Sequence, residues 1–121
     1  VPYSAAFKDH LARPRNAGLL EGADAVAETT NPVCGDRLRL TLRVSEGRIE
    51  AARFLAYGCP PTLACGSALA EMLEGLTLEE AARLTREDIR RAAGGLPARK
   101  GHAAALAAET LHEALRQLAS E

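Results

Sequence analysis

Arg37-Leu38-Arg39-Leu40-Thr41-Leu42-Arg43-Val44 decides the fold. Leu38, Leu40, Leu42 and Val44 alternate with Arg37, Arg39, Thr41 and Arg43. That period of two marks a strand with one buried and one solvated face. Ser45-Glu46-Gly47 turns the chain, and Arg48 to Tyr57 reads as a returning strand. Its alternation changes phase: Ile49 and Ala51 suit one face, while Ala52, Phe54 and Ala56 suit the other. A bulge near Ala51 reconciles the two, because one extra residue resets which side chains point inward. Ala25 to Thr30 reads as a further short strand.

Immediately before the alternating stretch stands Asn31-Pro32-Val33-Cys34-Gly35-Asp36, and immediately after the returning strand stands Gly58-Cys59. Because the hairpin runs out and back, Cys34 and Cys59 are expected at one edge of the sheet, with sulfurs close enough to share a metal. Pro60 and Pro61 are tolerated only in the first turn of a helix, so Cys59 sits just ahead of one. Unpaired amides at a helix start favour a thiolate. Lys100-Gly101-His102 precedes the last apolar periodicity and brings an imidazole. Cys34, Asp36, Cys59 and His102 thus supply two thiols, a carboxylate and an imidazole, the ligand types of a zinc or iron site. Each has a plainer reading: a buried cysteine, a turn aspartate, a surface histidine.

The remaining elements are helical. Tyr3, Phe7, His10 and Leu11 recur at helical spacing after Pro2, and Pro14 ends that helix near Arg13. Asn16 to Gly22 is loop. Leu69, Met72, Leu73 and Leu76 form the stripe of the helix after Cys59, stopped by Gly75. Thr77-Leu78-Glu79-Glu80 is a capping box, Thr85-Arg86-Glu87-Asp88 opens another short helix, and Gly94-Gly95 closes it. The last helix runs from about His102 to Leu118, with Ala107, Leu111, Ala114, Leu115 and Leu118 as its apolar face. The expected fold class is α+β: a small antiparallel sheet of about three strands packed against a helical layer.

At 121 residues the chain is expected to be one domain, 1–121. Fifteen basic and 16 acidic residues leave a net charge of −1, with no basic arm suited to nucleic acid. No apolar run approaches the ~20 residues of a membrane span, and no signal-peptide pattern opens the sequence, so a cytoplasmic location is expected. Three cysteines are too few and too scattered for a disulfide framework. Cys65 lies six residues beyond Cys59, a helical rotation of about 240° net, so it is read as a small buried hydrophobe. His10 and His112 are read as structural or surface residues, and Arg37, Arg39 and Arg43 as a solvated face. A Cys–His nucleophilic enzyme is disfavoured, because nothing marks an oxyanion hole or an orienting third group.

Asn31-Pro32-x-Cys34-Gly35-Asp36, Gly58-Cys59 with Ala64, and Leu96-Pro97-x-x-Lys100-x-His102 together resemble the U-type iron–sulfur cluster scaffolds, IscU, the NifU amino-terminal domain and SufU. Tyr3, His10, Pro14-Arg15-Asn16 and Gly18 resemble that family's opening. The resemblance implies a SufE/NifU-like fold and a non-enzymatic scaffold holding a [2Fe–2S] cluster through Cys34, Asp36, Cys59 and His102 for transfer to recipient apo-proteins. Asp36 would be its labile oxygen ligand. A cysteine desulfurase would be a partner, and Leu96–Lys100 only partly keeps the motif that chaperones recognise. The family's pattern continues His-Cys where this chain has His102-Ala103, so the third cysteine, implicated in receiving sulfur, is missing. Cys65 stands where the family would have serine. The alternative is a zinc-binding paralogue that modulates sulfur mobilisation without carrying a cluster, since one Zn2+ suits the same four side chains.

Overall fold

The computed structural model describes residues 4–32, 35–95 and 102–119. In chain order it contains α1 (Ala5–Ala12), β1 (Ala25–Thr30), β2 (Arg37–Ser45), β3 (Arg48–Tyr57), α2 (Pro60–Leu73), α3 (Leu78–Ala82), α4 (Arg86–Ala92) and α5 (His102–Ala119). The strands form one antiparallel sheet in the order β1-β2-β3, with the helices layered on one face. This is the expected α+β architecture.

The alternating stretch buries Leu38, Leu40 and Leu42, while Arg37 stays exposed. On β3 the inward residues are Ile49, then Ala52 and Phe54. The phase change comes from a bulge at Glu50: Arg43 faces Ala51 and Val44 faces Ile49, leaving Glu50 without an opposite residue. Thr41 departs from the expected wet face, being only 2% exposed. Residues 16–24 cross from the edge of β3 to β1 and cover it. Gly18 N donates to Phe54 O at 2.8 Å, Leu20 N to Thr41 Oγ1 at 3.1 Å and Asp24 N to Leu42 O at 2.8 Å.

Backbone groups on both sheet edges find partners outside the sheet, which shortens the open ladder that invites strand pairing between molecules. On β3, Phe54 N donates to Asn16 O, and Ile49 exchanges backbone bonds with Gly75 and Leu76. On β1 the Gln117 side-chain amide imitates a strand: it accepts from Val26 N at 3.0 Å and donates to Val26 O at 2.8 Å.

The helix after Cys59 is not the one-striped helix expected from Leu69, Met72 and Leu73. It buries Thr62, Ala64, Cys65, Gly66, Ser67, Ala68, Leu69, Ala70 and Leu73, while Met72 is only partly covered. Its small residues let neighbours approach from several sides. A Cβ on Gly66 would stand 2.6 Å from Phe54 Cδ2, so the helix backbone lies directly on the sheet. Ser67 ties down the start of the chain, with its hydroxyl 2.7 Å from both His10 Nδ1 and Arg15 N. His10 is therefore a buried structural residue. α1 begins after the Ser4 cap, which accepts from Phe7 N at 3.1 Å; Pro2 and Tyr3 lie outside the described residues.

The capping box at Thr77 and Glu80 is formed, and Thr85 with Asp88 makes a second. On α5, Ala107, Leu111 and Ala114 are fully buried, whereas Leu115 and Leu118 are at its partly covered end. No described helix is long and apolar enough to cross a membrane.

Candidate metal centre

Three chain segments meet at one end of the sheet. The first is the β1–β2 connection, where Thr30 faces Arg37 across the ladder. Asn31 N donates to Asp36 O and Gly35 N to Asn31 O, both at 2.8 Å, so the end of β1 is tied to Gly35 and Asp36 at the start of β2. The second is the β3–α2 junction. Arg37 pairs with Tyr57, which brings the residues on either side of that pair, Asp36 and Gly58, together. The third is the first residue of α5, His102.

At their meeting point lie Asp36, Cys59 and His102, whose ligand atoms are all within 4.8 Å of one another. Cys59 Sγ is 3.1 Å from Asp36 Oδ2 and 3.9 Å from His102 Nε2, and His102 Nε2 is 3.6 Å from Asp36 Oδ2. Tetrahedral zinc bonds of the usual lengths put such donor atoms about 3.4–3.6 Å apart, so the trio brackets the spacing for one ion. The donor set fits as well: sulfur, nitrogen and oxygen in one cluster suit zinc or iron. Asp36 is buried, while Cys59 and His102 are partly open to solvent. Next to Cys59 an apolar groove of about 320 Å³ is lined by Leu11, Ala56, Gly58, Pro60 and Leu63. On the His102 side a hollow of about 170 Å³ is bounded by Thr30, Asn31 and Pro32.

The Asp36 carboxylate is fixed from both ends. Oδ1 accepts from the Cys59 backbone N–H at 3.3 Å, and Oδ2 accepts from the Thr62 hydroxyl at 2.8 Å. The Thr62 oxygen is also 3.5 Å from Cys59 Sγ. Motif and periodicity do not single out Thr62. The available signal is its place three residues after Cys59, where a hydroxyl faces back toward the start of an otherwise apolar helix.

Of the four residues expected to share a metal, three converge. The fourth, Cys34, lies outside the described residues, as does Leu96–Lys100. Cys65 does not belong to the ligand group; it is fully buried in the core, where burial pushes its thiol up to about 12. Ala103 is also fully buried. His112 is exposed on α5 beside Arg83 and Glu109. Arg37 and Arg39 remain partly exposed and face Glu28, at 3.9 and 3.0 Å, and Arg37 also stacks 4.9 Å from the Tyr57 ring centroid.

Comparison with known proteins agrees with the resemblance in the motifs. The family model of the NifU-like N terminal domain matches residues 2–120. The chain is 42% identical over 113 residues to the iron–sulfur cluster assembly scaffold protein IscU 1 of Archaeoglobus fulgidus, covering 93% of this chain and 74% of that protein. It is 49% identical over 107 residues to the nitrogen fixation protein NifU of Cereibacter sphaeroides, covering 88% of this chain and 44% of that protein. Among solved structures, a NifU-like amino-terminal protein of Brucella abortus superposes with a TM-score of 0.82 over 98% of this chain and 94% of that one. At 16% identity, that likeness speaks to the fold alone.

Proposed function

We propose that this chain, which belongs to the NifU-like N terminal domain family, is an iron–sulfur cluster assembly scaffold that holds a cluster, or its metal, for transfer to apo-proteins. The observation that carries the proposal is the convergence of Asp36, Cys59 and His102 from three separate segments. Cys59 would be a thiolate ligand, His102 a nitrogen ligand and Asp36 an oxygen ligand. Cys34, two residues before Asp36, would be the second thiolate. Mixed sulfur and nitrogen ligation suits a [2Fe–2S] centre. The cluster is cargo rather than a resident cofactor, and a carboxylate among the ligands suits that role, because a hard oxygen donor holds iron less firmly than thiolate does.

A cysteine desulfurase would supply the sulfur and recipient apo-proteins would take the cluster. The relatives named as scaffolds support this reading. The absence of a thiol at Ala103 favours a second reading, a zinc-binding relative that modulates sulfur mobilisation, because a single tetrahedral ion needs only the four side chains already named.

Metal and acid-labile sulfide analysis of anaerobically purified protein separates the two. Iron with stoichiometric sulfide and a reddish-brown colour supports the scaffold. Colourless protein with one zinc, and no cluster after incubation with iron, sulfide and reductant, overturns it.

A further inference from the structure

The hydroxyl of Thr62 contacts two of the three converging ligand groups. Thr62 is fully buried in the first turn of α2. Its hydroxyl donates to Asp36 Oδ2 at 2.8 Å and sits 3.5 Å from Cys59 Sγ. The other carboxylate oxygen, Oδ1, is held by Cys59 N. A carboxylate held at both oxygens is restrained from rotating about its Cβ–Cγ bond. Oδ2 is thereby kept on the side where Cys59 Sγ and His102 Nε2 also lie. Each carboxylate oxygen has two lone pairs. Oδ2 accepts from the Cys59 thiol as well as from Thr62. Once Cys59 binds as thiolate and no longer donates, that lone pair can turn to the metal while the Thr62 bond is kept on the other.

We propose that Thr62 is a positioning residue: its hydroxyl orients Asp36 so that one oxygen is presented to the metal. The inference rests on the reading of Asp36, Cys59 and His102 as ligands, and it adds a residue that contributes through Asp36 without itself binding the ion. Partners that orient metal ligands typically contribute about 10- to 100-fold in affinity. That is the effect expected here.

Competitive Zn2+ titration against a chromophoric chelator, and Co2+ absorption spectra, test it on the parent and on Thr62→Val, Thr62→Ser and Asp36→Ala. Valine keeps the branched shape and removes the hydroxyl; serine keeps the hydroxyl. Thr62→Val should lose about 10- to 100-fold in Zn2+ affinity. Its Co2+ bands should weaken as water replaces the carboxylate, while Thr62→Ser stays with the parent. In an Asp36→Ala background, adding Thr62→Val should cost nothing further. If the valine protein does not fold, Thr62→Ala carries the same expectations.

Parent-like affinity in both Thr62→Val and Thr62→Ala overturns the role of Thr62 and leaves the ligand reading standing. That role is equally overturned if Thr62→Ser falls as far as Thr62→Val, or if the loss persists undiminished without Asp36. A parent protein that binds neither Zn2+ nor Co2+ overturns the ligand reading itself and this inference with it.

Discussion

Gly58 is packed so closely against Asp36 that a Cβ on the glycine would overlap the carboxylate, centred on Oδ1. Its backbone also lies at φ +137°, a conformation that side chains resist. The glycine immediately before Cys59 thus does two jobs: it turns the chain from β3 into α2, and it leaves the space in which Asp36 reaches the thiol. A larger residue there damages the turn and the ligand geometry together.

Gly58→Ala should therefore lower stability by about 1–3 kcal/mol, the usual cost of a strained backbone position, and lower Zn2+ affinity as well. Thermal melting with and without Zn2+ checks both effects. An alanine variant with the parent's melting temperature and affinity would show that Asp36 can move aside without cost.

The ligands should separate from the bystanders by rank. Thiolate–zinc bonds supply most of the affinity of such a site, and water can partly replace a carboxylate or imidazole. Cys59→Ser, and Cys34→Ser with it, should lose more than the roughly 10- to 100-fold typical of an orienting partner. Asp36→Ala and His102→Ala should lose less than the two cysteine variants, with Asp36→Ala losing at least as much as Thr62→Val, and Cys65→Ser should lose hardly any. Chelator competition at fixed pH measures all five. If Cys65→Ser lost as much as Cys59→Ser, Cys65 would be a ligand, against its full burial in the core outside the ligand group.

Cys65 should instead appear in the pH dependence of stability. Burial, with a smaller contribution from Cys59 nearby, raises its thiol from 9.0 to about 12. In the unfolded chain the proton leaves near the ordinary value. Across the window from 9.0 to about 12 the native state therefore holds more protons, and stability falls as the pH rises. Urea unfolding at pH 8 and pH 10.5 should show that decline in the parent and a smaller one in Cys65→Ala. Alkylation at pH 8 should modify Cys59 in the native protein, and Cys65 only after urea is added.

Much of this fold is legible because hydropathy and turn chemistry act locally. The alternation of Arg37 to Val44 fixes which face of the hairpin is buried, and the phase change between Ile49 and Ala52 reveals the bulge at Glu50. Pro60-Pro61 marks where α2 starts, and hence where Cys59 lies. What escapes is set by packing between distant segments. Gly66, Ser67 and Ala70 carry little hydropathy signal, yet they are buried because other elements close around α2. Thr41 reads as solvent-facing until residues 16–24 cross over it. Thr62 reads as an ordinary residue of a first helical turn, because its partner Asp36 is 26 positions away in sequence. Asp36, Cys59 and His102 are legible as ligand types by chemistry, and the hairpin ladder accounts for the first two being neighbours.

The anchoring of the chain's opening segment rests on Ser67. Its hydroxyl lies 2.7 Å from His10 Nδ1 on α1 and 2.7 Å from Arg15 N in the segment after it. With Arg15 N–H donating to the oxygen, the hydroxyl hydrogen is available to the ring nitrogen. Both Ser67 and His10 are buried, so water cannot readily replace the lost bonds when Ser67→Ala removes them. An unsatisfied buried polar group costs about 1–3 kcal/mol, and the melting temperature should fall by several degrees. Zn2+ affinity of the folded protein should be unchanged, because Ser67 has no bond to Asp36, Cys59 or His102. Adding His10→Leu to Ser67→Ala should recover part of the loss, since removing both members of a buried polar pair costs less than removing one. Differential scanning calorimetry of the parent, the two single variants and the double variant reads the coupling directly. Strictly additive losses in that cycle would mean that His10 and Ser67 contribute separately, and that the hydrogen bond between them does not hold α1 in position.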